Sequence, residues 1–307
     1  MKIILSPAKK MKVLDEGGSF GQSFYGFEIT KPQYLEKTEE ISAWLKGQSY
    51  AELKWLWGCS DKIAEQNFNR LAEMDLYRNL TPAVLSYEGL AYQYMAPAVF
   101  EDGHFDYVQE HLRILSAFYG VLRAMDGVTP YRLEMQAKAE IGGHGSGSGS
   151  ATVWESADGN TGGNVDGNTG GSAGAVAEGN LSVNISGKPG GSSNLYDFWG
   201  DALYRAVRDE SGIIVNLASR EYSKSIEKYL TSSDRYITVN FCERSGDKLV
   251  TKGTYAKMAR GEMVRFMAEH RIAEPAEMQK FDRLGYVFRE ALSTETEYVF
   301  EKIDNKG

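Results

Sequence analysis

The chain has 307 residues, of which 42% are hydrophobic and 25% charged, and its formal net charge is −8. This acidic balance argues against a protein that coats nucleic acid indiscriminately, while a local basic cleft stays compatible with it. Cys59 and Cys242 are the only cysteines, so neither a disulfide framework nor a cysteine zinc site is supported. No apolar run approaches the roughly 20 residues of a membrane span or fits a signal peptide. We therefore expect a soluble, cytoplasmic protein without a membrane partner.

The N-terminal segment predicts a buried strand from Lys2 to Leu5. The strand ends at Ser6-Pro7 because proline cannot donate a hydrogen bond to a sheet ladder. Lys9 and Lys10 follow at its carboxyl end. From Pro32 to Met74 the spacing of the apolar residues predicts a series of helices.

Two of these helices flank Gly58-Cys59-Ser60 and resemble a helix-hairpin-helix. The first of the two begins at a capping box formed by Ser49 and Glu52. Hairpin amides in such a motif can hold a DNA phosphate. An ordinary αα-hairpin is the alternative, because residues 48–74 carry three basic against four acidic side chains.

The middle of the chain predicts a helix followed by a short strand. Apolar residues recur at helical spacing at Val108, Leu112, Leu115, Tyr119 and Leu122. Gly127 is the expected C-cap of this helix. Tyr131 to Met135 alternates apolar and polar residues, which predicts a half-buried strand with Arg132 and Glu134 on its polar face.

The second half of the chain predicts alternating helices and strands. In order, these are a helix from Leu195 to Arg208, a strand from Ile213 to Leu217, a helix from Glu221 to Tyr229, a hairpin of Tyr236–Cys242 and Lys248–Lys252, a helix from Thr254 to His270, and strands at Tyr286–Phe288 and Glu297–Phe300.

Residues 142–193 form a low-complexity block rich in Gly, Ser and Asn, in which Gly-Asn-Thr-Gly-Gly occurs twice. Such a sequence buries too little apolar area to offset the entropy of ordering its backbone, so we expect a disordered insertion. The alternative, a calcium-binding glycine-rich repeat, lacks the required nonapeptide pattern. Residues 1–141 and 194–307 should therefore form one compact mixed α/β domain, with a mixed sheet surrounded by helices.

Polar and charged side chains gather after the two predicted parallel strands: Ser6 and Lys9 after the first, and Ser219, Arg220, Glu221 and Lys224 after the second. Ligands of open α/β sheets bind beyond the carboxyl ends of strands, so we expect one shared rim that Arg132 and Glu134 join. The alternative is a set of solvated loop ends with a surface ion pair worth about 0–1 kcal/mol. No phosphate loop or nucleophile–base pair accompanies these residues, so no cofactor is predicted.

The histidines do not predict a metal site. His104 and His111 are two helical turns apart if one helix covers both. A shared metal normally uses residues at i and i+4, so we expect both side chains to be structural or exposed.

The predicted helix from Thr254 to His270 is the clearest basic element. Lys257 and Arg260 are neighbours at i and i+3, which suits contact with phosphate groups. A solvated helix face is the alternative. Gly261 in mid-helix costs about 1 kcal/mol relative to alanine, which a close approach of backbone or ligand would explain.

These segments together resemble the YaaA family of peroxide stress proteins. The motifs that carry the resemblance are Ser6–Lys9, Leu115–Arg123 with Asp126, Pro130–Met135, Leu195–Trp199, Asn216–Tyr222, Ala259–Gly261 and Gly285-Tyr286. The resemblance implies a cytosolic α/β protein that limits damage by hydrogen peroxide and lowers free intracellular iron. It also implies DNA binding through a helix-hairpin-helix in a positively charged cleft. The inserted block stands where the family has a short glycine-containing turn.

Three functional hypotheses follow. The first is a stress protein whose cleft holds the phosphates of double-stranded DNA with Lys9, Arg132, Lys224, Lys257 and Arg260. The second is an enzyme for a small anionic or nucleotide-like ligand, with Glu134 or Glu221 as general base and Lys9 as nucleophile or phosphate anchor. A direct iron sequestrant ranks last, because the histidines and cysteines are scattered.

Overall fold

The computed structural model describes residues 1–14, 17–24, 26–141 and 194–303. Within these ranges the chain is a mixed α/β protein, and residues from both sides of the predicted insertion share one apolar core. The predicted disordered insertion, residues 142–193, lies outside the described residues.

The strands are β1 (Lys2–Leu5), β2 (Lys10–Met11), β3 (Ser23–Phe24), β4 (Phe27–Glu28), β5 (Thr81–Pro82), β6 (Tyr87–Glu88), β7 (Leu112–Ser116), β8 (Gly120–Leu122), β9 (Gly127–Val128), β10 (Ile213–Asn216), β11 (Arg235–Ser245), β12 (Lys248–Val250), β13 (Tyr286–Phe288) and β14 (Glu297–Lys302). The α-helices are α1 (Leu35–Lys46), α2 (Tyr50–Trp57), α3 (Asp61–Ala72), α4 (Ala83–Ser86), α5 (Leu90–Met95), α6 (Asp102–His111), α7 (Leu195–Trp199), α8 (Ala202–Val207), α9 (Arg220–Glu227) and α10 (Gly253–Glu269). Short 3-10 helices cover Pro97–Val99, Pro275–Lys280, Arg283–Gly285 and Glu290–Leu292.

One mixed sheet organises the described residues. Its strands lie in the order β13-β14-β11-β10-β1-β7-β8, and β12 pairs with β11. The neighbours β7, β1, β10, β11 and β14 run parallel, whereas β8, β12 and β13 pair antiparallel. Numbered along the chain, the five parallel strands have the order 2-1-3-4-5, which is one of the two common orders of doubly wound sheets. In that order the switch point lies between β1 and β10.

The predicted helix through Leu122 is wrong beyond His111. The helix α6 ends there, and Leu112 begins β7, which pairs with β1 and β8. Nearly every residue of β7 is buried, because the strand lies inside the sheet and is covered on both faces. Burial on both faces removes the regular period-2 alternation, and Leu112 and Leu115 then fall at helical spacing.

The predicted strand from Tyr131 to Met135 is also wrong in one respect. Burial alternates along it as expected, but the segment pairs with no strand among the described residues. The predicted helix from Leu195 to Arg208 is divided into α7 and α8 at Gly200, whose φ of 52° breaks the helical backbone. The predicted β10, α9, β11–β12 hairpin, α10, β13 and β14 are confirmed within a few residues.

Other sequence features have simple structural counterparts. The turn Gly58–Ser60 joins α2 to α3, and Gly58 is the left-handed C-cap of α2. His104 accepts a hydrogen bond from the backbone N–H of Glu101, and the ring of His111 forms a hydrogen bond with the carbonyl oxygen of Met1, both at or beside α6.

No described helix is long and apolar enough to cross a membrane. The described residues contain no cluster of three or more His, Cys, Asp or Glu suited to a metal ion.

Candidate functional site

A cleft of about 400 Å³ opens at the carboxyl ends of β1 and β10, the switch point of the sheet. The loop of residues 6–10 follows β1 and lines the cleft, as do Leu217, Ser219 and Glu221, which follow β10. The extended segment of residues 131–134, the start of α5 and one side of α10 complete the walls. Ligands of doubly wound sheets bind at this position, and a cleft of this volume is typical of small-molecule sites.

The two strand ends are tied together by serine hydroxyls. Ser6 Oγ accepts a hydrogen bond from the backbone N–H of Ser219 at 2.8 Å and donates to Ser219 Oγ at 3.1 Å. The hydroxyl of Tyr92 donates to the carbonyl oxygen of Ser6 at 2.9 Å. Both serines therefore use their hydroxyls to hold the floor of the cleft in place.

Buried tyrosines form the deepest part of this floor. The hydroxyl of Tyr131 lies 2.9 Å from that of Tyr87 and 2.7 Å from Ser116 Oγ. Burial raises the pKa of Tyr131 to about 12. The phenol is therefore neutral at physiological pH and presents an uncharged surface to the cleft.

Lys9, Arg132 and Glu134 form an ionic cluster on one wall. Lys9 Nζ lies 2.7 Å from Glu134 Oε1, and Arg132 Nη2 lies 3.7 Å from the same oxygen. The side chain of Lys9 is 65% exposed at the mouth, whereas that of Arg132 is only 11% exposed. Arg132 Nη2 also donates to the carbonyl oxygen of Trp57 at 3.3 Å, which links the α2–α3 hairpin to the cleft. The Nε atom of Arg132 is buried without a partner in the described structure.

Arg260, on α10, also lines the cleft. Its Nε atom is buried, and across the described residues its side chain makes neither a hydrogen bond nor an ion pair. Burial lowers the pKa of this guanidinium, and no neighbouring carboxylate compensates. Lys257, one turn earlier, is exposed at the mouth of the same wall.

Gly261 explains how α10 reaches the cleft. A Cβ atom on Gly261 would stand 1.8 Å from the carbonyl oxygen of Ala91 in α5. The helices therefore cross with their backbones in contact, which is the close approach that the mid-helix glycine predicts. Gly89, just before α5, similarly leaves room for Ala8, because a Cβ there would stand 2.8 Å from the Ala8 Cβ.

Glu221 adds a second carboxylate beside Glu134. Burial raises the pKa of Glu221, and the nearby charge of Glu134 acts in the same direction. A hydrogen bond from the backbone N–H of Gln136, at 3.4 Å, and the charge of Lys9 partly oppose that shift. The cleft thus combines acidic and basic groups rather than presenting a uniformly positive surface.

Eight of the ten residues predicted from the sequence line this cleft: Ser6, Lys9, Arg132, Glu134, Ser219, Glu221, Lys257 and Arg260. Arg220 and Lys224 do not. They are one helical turn apart on α9 and share its exposed face, which points away from the cleft.

Some residues that line the cleft were not predicted from the sequence. Lys10 is one of them, although it stands next to Lys9, and its Nζ lies 2.9 Å from Glu88 Oε2. Glu88 itself carried no local signal, because only the pairing of β2 with β6 brings it opposite Lys10. Tyr92 of α5 and Tyr222 of α9 also line the cleft and were not predicted.

Comparison with known proteins gives one family. The family model described as peroxide stress protein YaaA matches residues 1–157 and 177–292. A UPF0246 protein of Agathobacter rectalis is 55% identical over 302 residues, which cover 98% of this chain and 99% of that protein. UPF0246 proteins of Lachnoclostridium phytofermentans and Desulfitobacterium hafniense are 44% and 42% identical; each alignment covers 98% of this chain and, respectively, 96% and 98% of the relative.

Proposed function

The chain belongs to the YaaA family of peroxide stress proteins, and from this premise we propose that the cleft at β1 and β10 binds a small, phosphate-bearing ligand such as a nucleotide. In the cell this binding serves the peroxide response, including the lower level of free iron that the family resemblance implies. The observation that carries the proposal is the guanidinium of Arg260, which faces the cleft without a counter-charge.

An unpaired, desolvated cation favours the binding of an anion. Removing a charge from water costs several kcal/mol unless a partner and hydrogen bonds compensate. Arg260 has no such partner among the described residues, and Arg132 shares one carboxylate with Lys9. A phosphate group between the two guanidiniums would accept their remaining donors in the forked geometry that arginine favours.

The position of these donors favours a small ligand over a duplex. Arg132 is only 11% exposed, so a ligand must enter the cleft to reach it. The exposed Lys9 and Lys10 at the mouth are already paired with Glu134 and Glu88. A duplex lying across the mouth would meet partly neutralised lysines and would leave the unpaired guanidinium unused.

The carboxylates favour a ligand that has chemistry besides phosphate. Glu221 holds its proton to higher pH than an ordinary glutamate, a property that suits a general acid or base. Lys9 is ion-paired with Glu134, an arrangement that suits a phosphate anchor better than a nucleophile. In the enzyme version of the proposal, Glu221 exchanges a proton with the ligand while Arg132 and Arg260 hold its phosphate.

Binding of nucleotides tests the first step. We expect a purified-protein calorimetric titration with nucleoside monophosphates and diphosphates to show one site, and Arg260→Gln to weaken it about ten-fold or more. Arg220→Gln is the matched control, because it removes the same charge from outside the cleft. Equal losses in both variants, or no binding by the unaltered protein, would count against the proposal.

DNA binding is the second candidate function, and the α2–α3 hairpin favours it. The hydrogen bond from Arg132 to Trp57 places the end of α2 beside the cleft, and Lys257 is an exposed cation at the mouth. In this version the phosphates of double-stranded DNA lie along the mouth, and the hairpin amides contact the backbone.

Salt dependence separates this candidate from the first. Binding of a labelled duplex, followed by fluorescence anisotropy, should weaken steeply with salt, and Lys257→Gln should reduce the slope of log K against log salt by about one. Lys224→Gln, outside the cleft, is the matched control. Affinity that does not change with salt, or that falls equally in both variants, would argue against DNA.

A further inference from the structure

A second cavity, of about 390 Å³, lies between β7, β8 and α8. It is lined by Gln33, Arg113, Val121, Arg123, Asp126 and Ala206. None of these residues lines the cleft at β1 and β10. The cavity is therefore a separate place in the fold, and its chemistry is dominated by two arginines.

Arg113 lies in β7, and Arg123 follows directly after the last residue of β8. The strands β7 and β8 are antiparallel, and Ile114 lies opposite Leu122. One residue further along, the same register sets Arg113 opposite Arg123. Like charges directly opposite each other destabilise a sheet, because their Cβ atoms are only about 5 Å apart.

Asp126 compensates one of these charges, and both of its carboxylate oxygens then accept hydrogen bonds. Its Oδ1 atom accepts hydrogen bonds from Thr30 Oγ1 at 2.6 Å and from Arg123 Nε at 3.2 Å. Its Oδ2 atom accepts from the backbone N–H of Arg123 at 2.8 Å, and the side chain is 1% exposed. This carboxylate is therefore committed to Arg123 and to the loop that carries it.

Arg113 keeps unused donors. Its Nη1 group donates to the carbonyl oxygens of Gln109 and Leu112, at the carboxyl end of α6. Within the described part of the chain it makes no ion pair, and the Nε and Nη2 groups have no hydrogen-bond partner. Burial lowers the pKa of Arg113, and the positive charge of Arg123 lowers it further, whereas the negative charges of Asp126, Asp209 and Glu110 partly oppose this shift. The cavity thus holds two guanidiniums against one carboxylate.

We propose that this cavity binds a small molecule through an oxyanion, a phosphate or carboxylate group, held between Arg113 and Arg123. The anion supplies the negative charge that the facing arginines lack, and it accepts the free donors of Arg113. The amide of Gln33, at the exposed edge of the cavity, is a further donor. Val121 and Ala206 give the apolar wall that the rest of the ligand contacts.

Calorimetric titration at constant ionic strength tests this site, with inorganic phosphate and malonate as probes. The titrations use Arg260→Gln protein, in which anion binding by the cleft is weakened. We expect one site in this background, and an affinity about ten-fold or more lower when Arg123→Gln is added. Tighter phosphate binding identifies a phosphate ligand, and tighter malonate binding identifies a carboxylate ligand.

The matched control is Arg205→Gln, which removes an exposed arginine on α8 that pairs with Asp201. Unchanged binding after Arg123→Gln, or no binding of either probe, would overturn the proposal. Because Arg123→Gln also affects the Asp126 loop, a second measurement uses the unaltered sequence: selenate soaked into crystals should give an anomalous peak between the two guanidiniums. A peak elsewhere only would overturn the proposal, whatever the cleft binds.

Discussion

The two faces of α10 differ in whether the arginine found there is paired with carboxylates. On one face, Arg283 binds two carboxylates of the helix, with Nη1 at 2.9 Å from Glu262 and Nη2 at 2.5 Å from Glu269. On the other, Arg260 faces the cleft with no counter-charge among the described residues. Glu262 is about 200° around the helix from Arg260, since each residue turns about 100°. The same helix therefore carries a paired and an unpaired guanidinium.

This difference in pairing indicates that Arg283 is the arginine that stabilises the fold. Burial would lower the pKa of Arg283, but the hydrogen bonds that it donates to Glu269 and Glu262 outweigh burial and raise the pKa. For Arg260, burial acts alone and lowers the pKa. Paired charges hold the 3-10 helix of residues 283–285 against α10, whereas Arg260 makes no such ion pair among the described residues.

Gly261→Ala should have the largest effect, because it removes the contact that holds the cleft face of α10 in place. A Cβ there would overlap the carbonyl oxygen of Ala91, which is backbone and cannot rotate away. We expect the free energy of unfolding to fall by about 3 kcal/mol or more. Urea unfolding followed by circular dichroism measures the loss.

Gly253→Ala is the matched control for this substitution. Gly253 is the first residue of the same helix, and a Cβ there would meet no atom within 4 Å. Alanine should leave the stability unchanged or raise it by about 0.5–1 kcal/mol. If both alanine variants unfold at the same urea concentration, the helix crossing is looser than the contact with Ala91 implies.

Replacing each arginine by methionine compares the two faces directly. Arg283→Met should lower the free energy of unfolding by about 1–2 kcal/mol, because it leaves Glu262 and Glu269 partly buried without their shared partner. Arg260→Met should leave stability unchanged or raise it, because it removes a desolvated charge, while nucleotide binding weakens about ten-fold or more. A stability loss of equal size in both variants would mean that Arg260 also has a structural counter-charge.

Much of this arrangement follows from local sequence, and the rest does not. The strand end at Ser6-Pro7 and the polar turn at Ser219 are local signals, so the position of the cleft could be predicted. The basic spacing of Lys257 and Arg260 likewise indicated which helix would line it. Which face of α9 borders the cleft could not be predicted from the sequence. Glu221, which lines the cleft, was therefore not distinguished from the exposed Arg220 and Lys224.

Long-range pairing accounts for what sequence reasoning missed. The apolar residues of β7 fall at helical spacing, and only pairing with β1 and β8 makes the segment a strand. The facing of Arg113 and Arg123 depends on the same register. Neither the lack of a partner for Arg260 nor the two partners of Arg283 can be read from spacing, because they depend on which elements pack against α10.

The smallest expected effect is in the pH dependence of two glutamates: Glu269, on the paired face of α10, and Glu221, on α9, which lines the cleft that the other face of α10 borders. Burial would raise the pKa of Glu269, but hydrogen bonds from Arg265 and Arg283 outweigh it and lower the pKa below 4.5. Its contribution to stability is therefore present above pH 4.5 and is lost as the pH falls through the lowered value. For Glu221 the pKa is raised, chiefly by burial, so the folded state holds the proton more tightly. Stability then falls as the pH rises from 4.5 through the raised value.

Replacing each glutamate by glutamine allows the two opposite pH dependences of stability to be measured. Urea unfolding between pH 3 and 8 gives the free-energy difference between each variant and the unaltered protein. Glu269→Gln should become more destabilising as the pH rises, because the lost ion pairs exist only when Glu269 is ionised. Glu221→Gln should become less destabilising over the same range, because an amide avoids the cost of a buried carboxylate beside Glu134. Slopes of the same sign would show that the cleft carboxylate is compensated as fully as the one on the paired face.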